Sequence, residues 1–395
     1  MKKIKQLTTA GLATLMIFIL TIPASFVQAK EKSTSEPIVE NVKSAILLEQ
    51  DTGEVLYQSN AQKELPPASM TKVMTMLLIF QALDRGDLSL KDKIKVSEHA
   101  ASMGGSQVYL ETGEVMTAKD MIKAIAIGSA NDASVAMAEH IAGSEKMFVK
   151  QMNQKAKKMG LKHTHFENPT GLPEENHYST AKDMATMAKA LLHYKDVLEY
   201  TSTYEDYLRE DTDDKFWLVN TNKLVKTEDT VDGLKTGFTN EAKYCLTATA
   251  KKNDMRVISV VMGAPSTKER NKQVMNMVNY AFANYKTKQL VKAGKHVKQV
   301  PVNKSARGNV SVVTKDRVVL LTKKGDKLNQ IKKDIKMNQN LQAPIDKGTV
   351  VGRYVVKRDG KTVSETPLIV NEKVEEASWW QLFKRMVGKA TNGSW

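Results

Sequence analysis

The sequence predicts an α+β fold, and three observations predict it. Hairpin-forming stretches stand at residues 45–57 and 245–262, a long helix-patterned middle separates them, and short β-branched runs take over after Tyr285. Strands from both ends of a segment that flank a helical middle pair most simply in one antiparallel sheet with helices laid on it. The chain has 395 residues, 41% hydrophobic and 26% charged, which is apolar material for one large core or two medium ones and excludes disorder throughout.

Taken in order, Met1-Lys2-Lys3-Ile4-Lys5, the mostly apolar run from Ala10 to Ile22 and Val27-Gln28-Ala29 form the three parts of an export signal at 1–29, cleaved after Ala29. The apolar run is shorter than the roughly 20 residues needed to cross hydrocarbon, so an uncleaved span is the weaker reading. Outside the cytoplasm disulfides are permitted, yet Cys245 is the only cysteine. No intrachain disulfide exists, and core packing must hold the chain together.

Ala45 to Gln50, the turn Asp51-Thr52-Gly53 and Glu54 to Tyr57 read as a hairpin. Ser69 to Leu83 is dense enough in apolar residues for a buried helix, and Ala118 to Ile127 and Ala133 to Ile141 also read as helical. Strand character returns at Cys245 to Ala250, turns at Asn253-Asp254 and resumes at Arg256 to Met262. Lys268 to Tyr285 reads as a helix with Val274, Met277, Val278 and Phe282 facing a core. The first module is thus expected over 30–285. A small all-β module is expected over 286–370, from runs such as Val310-Ser311-Val312-Val313 and Val350 to Val356 with turns at Lys324-Gly325-Asp326 and Asp359-Gly360-Lys361.

The last segment, 371–395, is different again. At 100° per residue, Ser378 to Ala390 places Trp379, Trp380, Leu382, Phe383, Met386, Val387 and Ala390 on one arc, with Lys384, Arg385 and Lys389 opposite. This pattern points to an interfacial membrane anchor rather than a helix docked on the β module or on a partner. An apolar face at a chain terminus is otherwise a solubility liability.

The formal charge of +15 invites a nucleic-acid reading until it is located. Residues 286–370 carry 20 basic and 6 acidic side chains, whereas 30–285 sum to −3. The basic character belongs to the β module, where it suits an anionic wall or membrane surface. Nucleic acid is a poor partner for an exported protein. Seven histidines are scattered, and His163-Thr164-His165 has no matching ligand pair, so neither a metal nor a cofactor is expected.

Ser69-Met70-Thr71-Lys72 opens the first helix, and a spacing of three puts hydroxyl and amine on one face. A serine hydroxyl needs a base, and a desolvated lysine whose pKa falls can be one. Ser-x-x-Lys alone is weak evidence, since most such tetrads are plain helix starts. Two further elements strengthen it. In Gly128-Ser129-Ala130-Asn131, between helical segments, Ser129 can relay a proton to a leaving amine and Asn131 can hold a substrate amide. In Asp232 to Thr239, Lys235 and Thr236 offer a cation and a hydroxyl to a substrate carboxylate, and Gly237 lets an extended ligand approach the strand edge.

Ser-x-x-Lys, Ser-x-Asn and Lys-Thr-Gly in this order follow the motif set of penicillin-binding proteins and class A β-lactamases. With Asn168-Pro169-Thr170-Gly171-Leu172 and His177-Tyr178-Ser179-Thr180-Ala181 added, the chain resembles the low-molecular-mass D-alanyl-D-alanine carboxypeptidases of the penicillin-binding protein 5 type, along its whole length. The resemblance implies a transpeptidase-like catalytic domain, a small β domain and a C-terminal amphipathic anchor on the outer face of the membrane. It implies that Ser69 attacks the carbonyl between two terminal D-alanines of a peptidoglycan pentapeptide stem while Lys72 takes its proton and Ser129 helps protonate the departing D-alanine. The backbone N–H groups of Ser69 and Phe238 would form the oxyanion hole, Lys235 and Thr236 would bind the free carboxylate, and β-lactam antibiotics would acylate Ser69 and leave slowly. One departure is Lys243, where many members have glycine before the Tyr-Cys pair. Cys245 is expected to be a half-buried strand residue, not a nucleophile.

Rival readings are a transpeptidase, which differs only in the acceptor, and a non-catalytic wall binder, which the intact motifs oppose. A β-lactamase would need a carboxylate such as Glu167 to activate water, but Glu167 sits in a turn-forming run.

Overall fold

The computed structural model describes residues 38–326 and 331–391; the export-signal reading at 1–29 lies outside the described residues. The two hairpins do meet in one sheet. Strands β1 (Ser44–Glu49), β2 (Val55–Ser59), β3 (Val231–Thr239), β4 (Lys243–Lys252) and β5 (Met255–Ala264) pair antiparallel in the order β2-β1-β5-β4-β3. The N-terminal and C-terminal hairpins join through β1 and β5, with Ile46 opposite Val260.

Apolar side chains fill both faces of that sheet. Ile46, Leu48, Ile258, Val260 and Met262 enter one core with α1 (Lys72–Arg85), α2 (Asn131–Ala142) and α3 (Ala181–Leu191). Ala45, Leu47, Val257 and Val261 enter a second core with α4 (Thr267–Asn284). Successive strand residues point to opposite faces, so a sheet covered on both sides needs continuous apolar runs. For the same reason Cys245 is fully buried rather than half-buried. Helix α1 is enclosed by neighbours all round, with Lys72 through Phe80 buried, and it ends at left-handed Gly86.

Two local irregularities set up the cleft. Ala68–Thr71 forms a 3-10 turn ahead of α1. The helix starting at Ala118 widens into a π-helical turn at Ala124–Gly128, passes through left-handed Ser129 (φ 64°) and extended Ala130, and restarts at Asn131. Such interruptions re-aim side chains that a continuous helix would space regularly.

Beyond α4 the chain builds β6 (Tyr285–Val291), β7 (His296–Pro301), β8 (Asn309–Thr314), β9 (Val318–Lys323), β10 (Ile331–Met337), β11 (Val350–Arg358) and β12 (Lys361–Val370). The order β7-β8-β12-β11-β10 makes a five-stranded sheet, while β6 pairs with β9. This region has its own core, including Val312, Leu320, Val356 and Leu368. Helix α5 (Trp379–Thr391) follows, entered through a reciprocal cap in which Ser378 Oγ accepts from Gln381 N–H and Gln381 Oε1 accepts from Ser378 N–H. Trp379, Trp380, Phe383, Met386 and Val387 are exposed along it.

Candidate active site

Strand β3 is the edge of its sheet, and the 3-10 turn carrying Ser69 packs against it. The approach is close because of Gly237: a Cβ there would lie 2.7 Å from Pro67 O and 3.1 Å from Met70 N. The sequence assigned Gly237 to ligand approach, whereas here it admits the protein's own Ser69 turn.

Lys72 is wholly buried. Its Nζ lies 3.1 Å from Ser69 Oγ, 2.6 Å from Asn131 Oδ1 and 2.8 Å from the Thr170 carbonyl oxygen. Burial, then the nearby positive charge of Lys235, holds its pKa well below the ordinary lysine value, against the opposing pull of Asp132. Three neighbours fit a neutral amine: two N–H bonds go to Asn131 and Thr170, and the lone pair faces Ser69. The α1 frame supplies the geometry, with Ser69 one turn ahead of Lys72.

Asn131, assigned from sequence to a substrate amide, is therefore engaged by the protein at both ends, since its Nδ2 donates to Gly104 O at 2.7 Å. Its neighbour Ser129 is 3% exposed but is not a hydrogen-bond partner of Lys72 or Ser69. Lys235 is also buried, its Nζ bonded to Thr236 O at 3.2 Å, and burial followed by the charge of Arg270 lowers its pKa to about 7. Thr236 Oγ1 donates to Thr221 Oγ1 at 2.7 Å. Phe238, half-exposed at the strand's outer end, packs at a tilt against Tyr244 with centroids 4.5 Å apart.

Several supporting residues were not singled out by sequence reasoning. The buried Asp132 carboxylate accepts N–H bonds from Val108, Leu110 and Ala133, tying the 108–110 loop to the start of α2. Asn168 Oδ1 accepts from Thr170 N, Thr170 Oγ1 and Gly171 N, which aims the Thr170 carbonyl at Lys72. Thr221 bridges the two motif loops, its N–H donating to Ile127 O and its hydroxyl meeting Thr236. Asp132, Asn168 and Thr170 lie inside the motif runs already quoted, which was the available signal; Thr221 had none.

Glu167 lies beside His165, with Oε1 3.4 Å from Nδ1, and is not among the partners of Ser69 or Lys72. Burial raises the Cys245 thiol to about 11, so it is no nucleophile at neutral pH. Lys243 adopts φ 59°, in the left-handed region that explains why glycine suits this position.

The D-alanyl-D-alanine carboxypeptidase family model matches residues 30–266, and the C-terminal domain model of penicillin-binding protein 5 matches 285–376. The chain is 54% identical over 383 residues to the D-alanyl-D-alanine carboxypeptidase DacF of Bacillus subtilis (strain 168), covering 96% of this chain and 98% of that one. It is similar to the crystal structure of penicillin-binding protein 5 from Haemophilus influenzae, with TM-score 0.67 and 31% identity over 87% of this chain and 99% of that one. It is also similar to penicillin-binding protein D2 from Listeria monocytogenes in its ampicillin-bound form, with TM-score 0.55 and 33% identity over 61% of this chain and 98% of that one. A family model that matches more than half of the chain, and a relative this similar along nearly its whole length, show that the chain belongs to the D-alanyl-D-alanine carboxypeptidase family.

Proposed function

We propose that this D-alanyl-D-alanine carboxypeptidase cuts the terminal D-alanine from peptidoglycan pentapeptide stems through an acyl-enzyme on Ser69. The observation that carries the roles is the sealed Lys72 amine, 3.1 Å from Ser69 Oγ and aimed by Asn131 and Thr170. Neutral Lys72 takes the Ser69 proton as Oγ attacks the carbonyl between the two D-alanines. The Ser69 and Phe238 N–H groups receive the developing oxyanion. Lys235, with Thr236, binds the free carboxylate, a charge-assisted contact that restricts cleavage to chain ends. Ser129 passes the proton to the leaving amine, and water then releases the shortened stem. β-Lactams, which carry an amide and a carboxylate in similar relation, acylate the same serine, a reading supported by the ampicillin-bound relative.

In this reading 30–285 is the catalytic domain, 286–370 a β domain and 371–395 the anchor of an exported enzyme working at the outer face of the cytoplasmic membrane. The exposed aromatic face of α5 supports interfacial anchoring. Among the described residues no helix is long and apolar enough to cross a membrane.

The test follows D-alanine release from a muramyl pentapeptide and covalent labelling by a fluorescent penicillin. Ser69→Ala is expected to lose both signals, and retention of either overturns the assignment. Deleting 378–395 should free the enzyme from membranes with activity kept; continued retention refutes the anchor.

A further inference from the structure

His177 is a buried titratable group that the chemistry above leaves without a task. Its ring is 5% exposed and sits edge-on against Phe166, with centroids 5.7 Å apart. Its Nδ1 accepts the Glu167 backbone N–H at 3.3 Å, so the ring proton belongs on Nε2, which then donates to Thr71 Oγ1 at 2.9 Å. The two bonds reach different segments. Thr71 lies between Ser69 and Lys72 on the turn that carries the nucleophile. Glu167 opens the 167–172 loop, whose Thr170 carbonyl accepts from Lys72.

These two segments press together. A Cβ at Gly171, where φ is 84°, would lie 1.9 Å from Ala68 O and 2.8 Å from Thr71 Oγ1, so the loop lies hard against the Ser69 turn. Thr75 Oγ1 adds a bond to Pro169 O at 2.6 Å. Besides Lys72 itself, His177 bonds to both the turn and the loop, with one ring nitrogen to each.

We propose that His177 is a positioning residue for the general base: its neutral imidazole fixes the Thr71 turn and the Glu167 loop relative to one another, and so holds the Thr170 carbonyl in place on Lys72. The inference rests on the reading of Lys72 as the base. A protonated ring would have no acceptor for the Glu167 N–H and would release the loop. Burial, then His165 and Lys72, lowers the ring's pKa to about 4, so the bracket persists at neutral pH. The groups around Lys72 that set its own titration are Lys235 and Asp132, with Ser69, Asn131 and Thr170 in contact. A loosened loop admits water, favours the charged lysine and moves the protonation that silences the base to higher pH.

The experiment uses the full-length protein in detergent micelles and measures acylation by a fluorescent penicillin from pH 4 to 9, with kcat and KM for D-alanine release. His177→Phe keeps the ring's bulk and removes both hydrogen bonds. It is expected to slow acylation about 10- to 100-fold, leave KM within about twofold and shift the acid limb of the rate profile to higher pH. His177→Gln, whose amide can both donate and accept, should bring rate and limb back toward wild type. An acid limb that stays in place in folded His177→Phe overturns the inference, whatever the rate. Should that variant not fold, Thr71→Val removes one of the two bonds, and an unmoved acid limb there overturns the inference in the same way. Wild-type protein that penicillin does not acylate at all would instead overturn the proposed function.

Discussion

The region at 38–284 and the β-rich region at 285–377 treat charge in opposite ways. In the first, Glu49, Lys72, Asp132 and Lys235 are all at most 1% exposed, and Arg270 is 4% exposed. In the second, the buried polar side chains among the described residues are hydroxyls: Ser305, Thr314, Thr322, Ser364 and Thr366. Yet the second region carries most of the net positive charge. Burying an ion is costly unless it is paired and hydrogen-bonded, so two lysines buried near one another fit the catalytic roles proposed for them. Total charge describes the surroundings a region tolerates. Buried charge marks where it works.

The strongest way to break that comparison is Lys235→Met. Removing the buried cation should lower kcat/KM for a D-alanyl-D-alanine substrate by about 100-fold or more, with acylation by penicillin falling in parallel. The wild-type enzyme should also show the cation's titration. In the proposed reading Lys235 binds the carboxylate when protonated; burial and Arg270 lower its pKa to about 7, so kcat/KM is expected to decline as pH rises through that range. In Lys235→Met this alkaline decline should vanish. Stability gives an independent reading: the unfolded chain keeps the Lys235 proton up to the ordinary lysine pKa, so the buried lysine disfavours folding below about pH 7 and does so less as pH rises toward 10. The wild type should therefore gain stability relative to the variant over that interval. A variant with wild-type kcat/KM would mean that the buried cation serves the fold alone.

The sequence made the frame legible because its signals are local. Hairpins at 45–57 and 245–262, the Lys72 helix and the three motifs each sit within a few adjacent residues. What escaped depends on contacts across the chain. Thr170 reaches Lys72 over 98 positions and His177 reaches Thr71 over 106, and nothing in either local run announces its target. Asn131 and Gly237 stand in motif runs that the sequence displays, but their environment is not legible there: the first holds Lys72 and the second makes room for the Ser69 turn. Cys245 reads as half-buried because a strand with one wet face is the default, and the face it points to is closed by the first core, from segments far away in sequence. In the β-rich region, β6 and β10 escaped because lysines interrupt them, and β7 because its two valines are separated by Lys298 and Gln299; the strand character of all three comes from pairing.

A smaller effect should follow from Asp132→Asn. The carboxylate accepts three backbone N–H bonds at 2.8 to 3.1 Å, and an amide would turn a donor toward at least one of them. Denaturant unfolding should show a loss of about 2–3 kcal/mol. Because Asp132 favours the charged form of Lys72, its removal should also extend acylation to lower pH. A destabilised variant with an unmoved acid limb would separate the fold-supporting role of Asp132 from any electrostatic hold on the base.

The smallest change in stability is expected in the β-rich region. Strand β10 is an edge of its sheet, and Lys332, Lys333 and Lys336 stand exposed along it beside Ile335, which is 39% exposed. Replacing all three lysines by Gln should change unfolding free energy by no more than about 0.5 kcal/mol, since no buried partner is lost, and should leave penicillin acylation as it was. The lysines have another physical task there. An exposed strand edge offers unpaired N–H and C=O groups to a second chain, and a row of like charges keeps two such edges apart. Sedimentation of the triple-Gln variant at high protein concentration and low salt should therefore show self-association that the wild type lacks. If the variant stays as dispersed as the wild type, the edge is guarded by its twist or its neighbours, and the lysines are left to act on an anionic surface alone. If stability falls by several kcal/mol instead, the contrast between a region that uses charge inside and one that carries it outside no longer holds.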